Sequence, residues 1–225
     1  MTQTTPITYP ESDGNPMADN TQQFQWIARL KGGFEYVTAA RPDVFVAGDL
    51  LWYPVQGQPQ TRLAPDVLVV FGRPKGHRGS YKQWEEESVA PQIVVEILSP
   101  GNTIIEMSRK QGFYDRYGVE EYYLYDPALN EAEGWIRESG GLRRIESMNG
   151  WTSPRLGVRF AFVEGNFTVY GPDGREFVDY ETVMAGRNAA EARADTEYQR
   201  AEAEHQRAER LSAKLRELGI EPEST

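Results

Sequence analysis

Apolar positions change their period several times along the chain, and each change marks an element. Phe24, Ile27 and Leu30 recur at three-residue spacing behind Asn20 and Thr21, either of which can cap a helix. Gly32-Gly33 then weakens that helix and leaves its end open. Strand-like pieces follow across 44–55 (VFVAGDLLWYPV). Two runs are continuous rather than alternating: VLVVF at 67–71, behind Ala64-Pro65-Asp66, and IVVEIL at 93–98, ahead of Ser99-Pro100-Gly101. Short, β-branched and framed by breakers, both have the pattern of strands buried on two faces. Between them RPKGHRGSYKQWEEE reads as a loop. TIIEMSRKQGFYDRYG, after Pro100, predicts a helix that stops at Gly118. YYLYD at 122–126 predicts a strand closed by Pro127, and shorter strand candidates run from Trp135 to Tyr170. A mostly stranded chain with a helix between buried strands predicts an α/β or α+β sheet domain.

The two ends differ from this middle. Residues 1–19 are rich in Thr, Pro, Ser and Gly without an apolar period, and are expected to be a disordered leader. The sheet domain is assigned to 20–185. From 186 to 225 the chain is dominated by Ala, Glu and Arg, with Ala194, Ala201, Ala208 and Leu215 seven apart and Leu211 and Leu218 on the companion seam. That heptad is interrupted by Glu197 and Glu204. It fits a coiled-coil arm for homodimer formation, or a single solvated helix held by its own charge pairs.

Composition narrows the chemistry. The 225 residues include no cysteine and only His77 and His205, which excludes thiol nucleophiles, disulfides, zinc fingers, iron–sulfur clusters and multi-histidine sites. Metal binding then falls to carboxylates and hard divalent cations. The net charge of -10 argues against binding nucleic acid by overall attraction, though not against a locally basic face. No apolar run is long enough to cross a bilayer and no signal-like start is present, so a cytoplasmic protein without a membrane partner is expected.

Glu96 is the sharpest anomaly, a carboxylate in the middle of an apolar strand run. Burying it costs several kcal/mol unless it is paired or bound to a cation. Asp66 opens the other buried strand; if the two strands pair, the carboxylates converge and can hold Mg²⁺. The competing readings are a buried salt bridge for Glu96 and an ordinary turn for Pro65-Asp66. Lys110 follows on the next helix, four residues after Glu106, and either pairs with it in solvent or turns back to the sheet to stabilise phosphoryl charge. Arg73, Lys75, Arg78 and Lys82 crowd one glycine-containing loop, which either grips phosphates or is ordinary surface, and the EEE at 85–87 partly cancels its charge. The tyrosines at 114, 117, 122 and 123 fall on helix and strand periods and read most simply as core.

Pro65-Asp66, Glu96-Ile97-Leu98-Ser99-Pro100, Lys110, Tyr114, Gly118-Val119, Glu121-Tyr122 and Asp126-Pro127, in that order, resemble the Uma-type endonucleases of the PD-(D/E)XK, restriction-endonuclease-like superfamily. The resemblance continues through Trp151, Ser153 and Leu156-Gly157 into the tail. It implies a mixed β-sheet core flanked by helices, in an α/β fold with a C-terminal coiled-coil-like helix. It also implies a Mg²⁺-dependent endonuclease, with Mn²⁺ able to substitute, acting on DNA. Asp66 and Glu96 are its implied metal ligands and Lys110 its catalytic lysine. The superfamily usually has lysine two residues after the second acid, where this chain has Leu98; Lys110 on the following helix takes that role. An additional acid from the first helix is often used, with Glu35 and Asp49 as candidates. The alternative from another class is a catalytically silent, nuclease-like scaffold that self-associates.

Overall fold

A computed structural model describes residues 7–12, 14 and 18–218. The rest of the expected leader and the end of the tail, residues 1–6, 13, 15–17 and 219–225, lie outside the described residues. Three α-helices are described: α1 (Thr21–Val37), α2 (Ile104–Arg116) and α3 (Tyr180–Glu217). The strands are β1 (Val44–Gly48), β2 (Trp52–Tyr53), β3 (Val67–Phe71), β4 (Tyr81–Lys82), β5 (Ile93–Ile97), β6 (Glu121–Asp126), β7 (Glu131–Glu138), β8 (Gly141–Arg144), β9 (Arg159–Val163) and β10 (Asn166–Tyr170).

Six strands form one sheet in the order β1-β3-β5-β6-β7-β8. All its neighbours are antiparallel except β5 and β6, which run parallel and are joined by α2. A parallel pair needs a crossover, and α2 is that crossover. The continuous apolar runs are explained by burial on both faces: every residue of β3 and β5 is buried. Val67, Val69, Ile93, Val95 and Ile97 pack with Ile27, Leu30 and Phe34 of α1 and with Phe160, Phe167 and Val169 of the β9–β10 hairpin. On the opposite face Leu68, Val70 and Val94 pack with Tyr114 of α2, Trp52, Tyr81 and Tyr122.

Asn20 caps α1 by accepting from the Gln23 amide at 2.8 Å. Gly32-Gly33 does not end the helix, which continues to Val37. A Cβ at Gly33 would lie 2.1 Å from the Phe177 ring, so this glycine serves close packing rather than termination. The buried face of α1 also differs from expectation. Phe24 is 51% exposed and its place is taken by Gln23, whose side-chain amide donates to the buried Ile97 carbonyl at 2.9 Å.

The leader is not wholly free of the domain. The Tyr53 hydroxyl donates to the Pro10 carbonyl at 2.6 Å, and the Tyr9 ring packs against Tyr53 and Trp84. Paired aromatics supply the burial that the polar composition of the segment hides. The segment read as a loop between the buried strands contains β4 and a short 3-10 helix at Gln83–Glu85.

The compact unit closes at Val178, and the helix begins at Tyr180 rather than near 186 because Asp179 caps it, accepting from the Thr182 amide at 2.8 Å. At 38 residues α3 spans about 57 Å. None of its described residues is buried, and it carries ion pairs such as Arg187–Glu191 at 2.8 Å. Among the described residues no helix is long and apolar enough to cross a membrane.

Candidate active site

Antiparallel pairing of β3 with β5 sets Val67 opposite Val95, which brings Asp66 and Glu96 together one step further along. Cross-strand partners share a face, here the face covered by α2. Both acids are buried, Asp66 to 8% and Glu96 to 2% exposure. The Ile97 amide donates to Asp66 Oδ2 at 2.6 Å, so β5 itself holds the first carboxylate in place.

Thr103 caps α2, accepting from the Glu106 amide at 3.2 Å, and the helix stops before Gly118, which takes a left-handed φ of 92°. Within it Lys110 and Tyr114 are four residues apart and turn the same side to the sheet. Lys110 Nζ donates to Glu96 Oε2 at 3.0 Å, and the Tyr114 hydroxyl donates to Glu96 Oε1. The lysine therefore points at the strand. Glu106 is not its partner; that carboxylate accepts instead from the Asn102 side-chain amide at 3.3 Å.

The electrostatics follow from burial. Removal from water and the neighbouring Glu96 charge push the Asp66 carboxyl up to about 8, against the pull of the Ile97 amide and Lys110, and Asp49 adds a smaller push. Burial would lower the Lys110 ammonium, but Glu96, Asp66 and Glu106 together hold it above the ordinary lysine range. Burial and the Glu96 charge raise the Tyr114 hydroxyl far up, so it remains a donor. Two carboxylates thus face one ammonium, an excess of negative charge that Asp66 relieves by holding a proton.

Other predicted residues fall elsewhere. Asp49 is close by: its amide donates to the Asp66 carbonyl at 3.2 Å from a left-handed φ of 47°. Glu35 is not, because α1 covers the other face of the sheet and Glu35 pairs with Lys31 at 2.8 Å on its outer side. The basic loop is also displaced. It follows Phe71, whereas Asp66 precedes Val67, and five strand residues rise roughly 16 Å. Its charges are taken up locally: Arg73 pairs with Glu87 at 2.9 Å, Arg78 with Glu86 at 2.5 Å and Lys82 with Glu85 at 3.5 Å, leaving Lys75 exposed. The phosphate-gripping reading of that loop is therefore not supported by its position or its pairing.

Tyr114 is the residue that the sequence reading missed, having been assigned to the core. A signal was present: it lies one helical turn beyond Lys110, on the same face. Glu121 is a third buried acid, on the opposite face of the sheet. It accepts from Ser153 Oγ at 2.5 Å, Tyr123 at 2.8 Å and the Arg155 amide at 2.8 Å, which ties β6 to the 151–157 segment. Its partners are complete and its role is structural.

Fold and site together define a mixed α/β protein with a buried carboxylate pair and a lysine beneath its crossover helix. Residues 15–174 match the Uma2 family, described as "Putative restriction endonuclease", and the chain belongs to that family. It is also similar to a crystal structure from Anabaena variabilis ATCC 29413, described as a "putative nuclease belonging to DUF820". Identity to that chain is 14% and the TM-score 0.44, with 64% of this chain and 79% of that one covered. Comparison with curated proteins gives no match.

Proposed function

We propose that the protein is a divalent-metal-dependent endonuclease that hydrolyses phosphodiester bonds of DNA. The observation that carries this reading is the burial of Asp66 and Glu96 on one face with the Lys110 ammonium bound to Glu96. Such a donor set suits a hard cation, Mg²⁺ or Mn²⁺, which prefers carboxylate oxygens and completes its shell with backbone, water and phosphate oxygens. Asp66 and Glu96 would be its side-chain ligands; among the described residues no group of three or more acidic, histidine or cysteine side chains is placed to hold a metal. When bound, the cation supplies neutralising charge at the phosphoryl group and acidifies water.

The remaining work falls to the chain. Tyr114 fixes one Glu96 oxygen and Lys110 the other, which holds that carboxylate in a single orientation. The Lys110 ammonium, charged at neutral pH, orients the attacking water and offsets charge on the phosphoryl oxygens. Water adds to phosphorus, the ester P–O bond breaks, and the leaving oxygen takes up a proton. Family membership supports the reaction class, and α3 supports a homodimer through the heptad seam of Ala194, Ala201, Ala208 and Leu215.

A second reading has its own support. The bonds of Glu96 are satisfied by Lys110 and Tyr114, and Asp66 is satisfied by the Ile97 amide, as a silent scaffold would require. The deciding experiment is Mg²⁺- or Mn²⁺-dependent cleavage of plasmid and single-stranded DNA by wild type, Glu96→Gln and Lys110→Ala. Cleavage by wild type and its loss in both folded variants is expected. Absence of cleavage together with absence of Mg²⁺ binding by calorimetry would overturn the nuclease reading in favour of the scaffold.

A further inference from the structure

Gln23 stands where the pattern of α1 calls for an apolar side chain. It shares one helix face with Ile27, Leu30 and Phe34, all packed on the sheet, yet it is a carboxamide only 7% exposed. A buried polar group of this kind is costly unless its hydrogen bonds are made. Both ends of this one are used: Oε1 accepts from the Asp19 amide at 2.8 Å, and Nε2 donates to the Ile97 carbonyl at 2.9 Å.

The demand for that donor comes from Pro65. The Leu98 amide donates to the Tyr125 carbonyl of β6 at 2.8 Å, so the preceding residue, Ile97, turns its own amide and carbonyl toward β3. The last registered pair of β3 and β5 is Val67 with Val95, and the same register carried two residues further sets Pro65 opposite Ile97. Proline has no N–H to give to the Ile97 carbonyl. The ladder stops there, and side chains complete it. Asp66 Oδ2 accepts from the Ile97 amide at 2.6 Å, and Gln23 donates to the Ile97 carbonyl. The residue that follows Glu96 is therefore held at its amide by one candidate metal ligand and at its carbonyl by α1.

We infer that Gln23 is a positioning residue for the candidate metal site, acting through Ile97 on Asp66. Its hold on the Ile97 carbonyl fixes the end of β5, and with it the direction of the Ile97 amide. That amide occupies Oδ2 of Asp66 and leaves Oδ1 as the oxygen for a cation beside Glu96. The same helix end is tied to the segment after β5, because the Ser99 hydroxyl donates to the Asp19 carboxylate. Without the Gln23 donor the Ile97 carbonyl is buried unpaired, the strand end turns to find another partner, and Asp66 loses its fixed orientation. The inference rests on the nuclease reading for what the site is used for; the hold of Gln23 on Asp66 stands without it.

The test compares Gln23→Met, which keeps the volume and removes the donor, with Thr38→Val. The latter deletes another buried bond of α1, from Thr38 Oγ1 to the Phe34 carbonyl at 2.7 Å, at the far end of the helix. The Ile97 amide proton is followed by NMR in the full chain without metal, and Mg²⁺ affinity is measured by calorimetry. Gln23→Met should move the Ile97 amide upfield and weaken Mg²⁺ binding about tenfold, the effect of one buried hydrogen bond. Thr38→Val should do neither, although it too lowers stability in urea. An unmoved Ile97 amide in Gln23→Met, or equal effects of the two variants, would reduce Gln23 to a packing residue and overturn the inference. Wild type supplies a check that needs no substitution: Mg²⁺ should shift the Gln23 side-chain amide protons, and protons that stay still at saturating Mg²⁺ overturn it as well. The two readings fail separately. If wild type binds no Mg²⁺ but the Ile97 amide moves in Gln23→Met alone, the metal site falls and the hold of Gln23 on Asp66 stands. If wild type and Gln23→Met bind Mg²⁺ equally, the metal site stands and Gln23 has no part in it.

Discussion

Replacing Asp66 with asparagine should stabilise the metal-free protein at neutral and alkaline pH. The unfolded chain releases the Asp66 proton near the ordinary value of 3.8, whereas the folded chain keeps it up to about 8. Proton binding therefore favours the folded state fully below the lower value, and that support is lost as pH rises through the upper one. A difference of about 4 units at ~1.4 kcal/mol each sets a ceiling near 6 kcal/mol, and relaxation around the site reduces it. The substituted amide keeps an oxygen for the Ile97 N–H and carries no charge, so the stability of the variant should lack this slope. The assay is urea unfolding in chelator from pH 4.5 to 8.5. Wild type and Asp66→Asn should differ little at the acid end, with the variant more stable by a few kcal/mol at the alkaline end. Added Mg²⁺ should then raise wild type alone. Curves that stay parallel across the whole pH range would refute the argument, because they would mean that Asp66 ionises in the fold as it does in water.

Lys110→Met leaves Glu96 buried without its cation and should cost about 3–5 kcal/mol in urea unfolding; adding Glu96→Gln to it should recover much of that loss. Gly33→Ala gains about 1 kcal/mol of helix propensity but drives a methyl into the Phe177 ring, so it should be net destabilising by thermal melting. Gly32→Ala, which meets nothing within 4 Å, should stabilise by up to ~1 kcal/mol. Leu211→Glu with Leu215→Glu should convert a dimer to a monomer in sedimentation equilibrium while leaving the far-ultraviolet spectrum of the sheet domain unchanged.

The legible parts of this protein were those where one local rule dominates. A continuous β-branched run between breakers has few alternatives to a strand buried on both sides, so β3 and β5 were readable, and Glu96 stood out because its neighbours are apolar. The misread parts depend on partners remote in sequence. Phe24 fits an amphipathic stripe as well as Gln23 does, until the Ile97 carbonyl, 74 residues away from Gln23, requires a donor. The cations at 73, 78 and 82 suggested a phosphate grip because the chain reversal that brings Glu85, Glu86 and Glu87 back to them leaves no periodic trace. Tyr114 was hidden by its dual nature: the ring packs in the core while the hydroxyl serves Glu96. Tyr9 and Pro10 escaped notice because two or three anchoring contacts in a polar segment do not alter its composition.

The parallel joint between β5 and β6 also governs when the site can exist during synthesis. Asp66 and Glu96 leave the ribosome early, yet Lys110 and Tyr114 are seated only after the crossover has returned the chain to lay β6 beside β5, which requires residues up to Asp126. A nascent chain shorter than that carries both acids before β6 is there to seat the ammonium that counters them. Translation thus imposes an order on assembly: the carboxylates are made first and become a site only when the sheet is closed behind them.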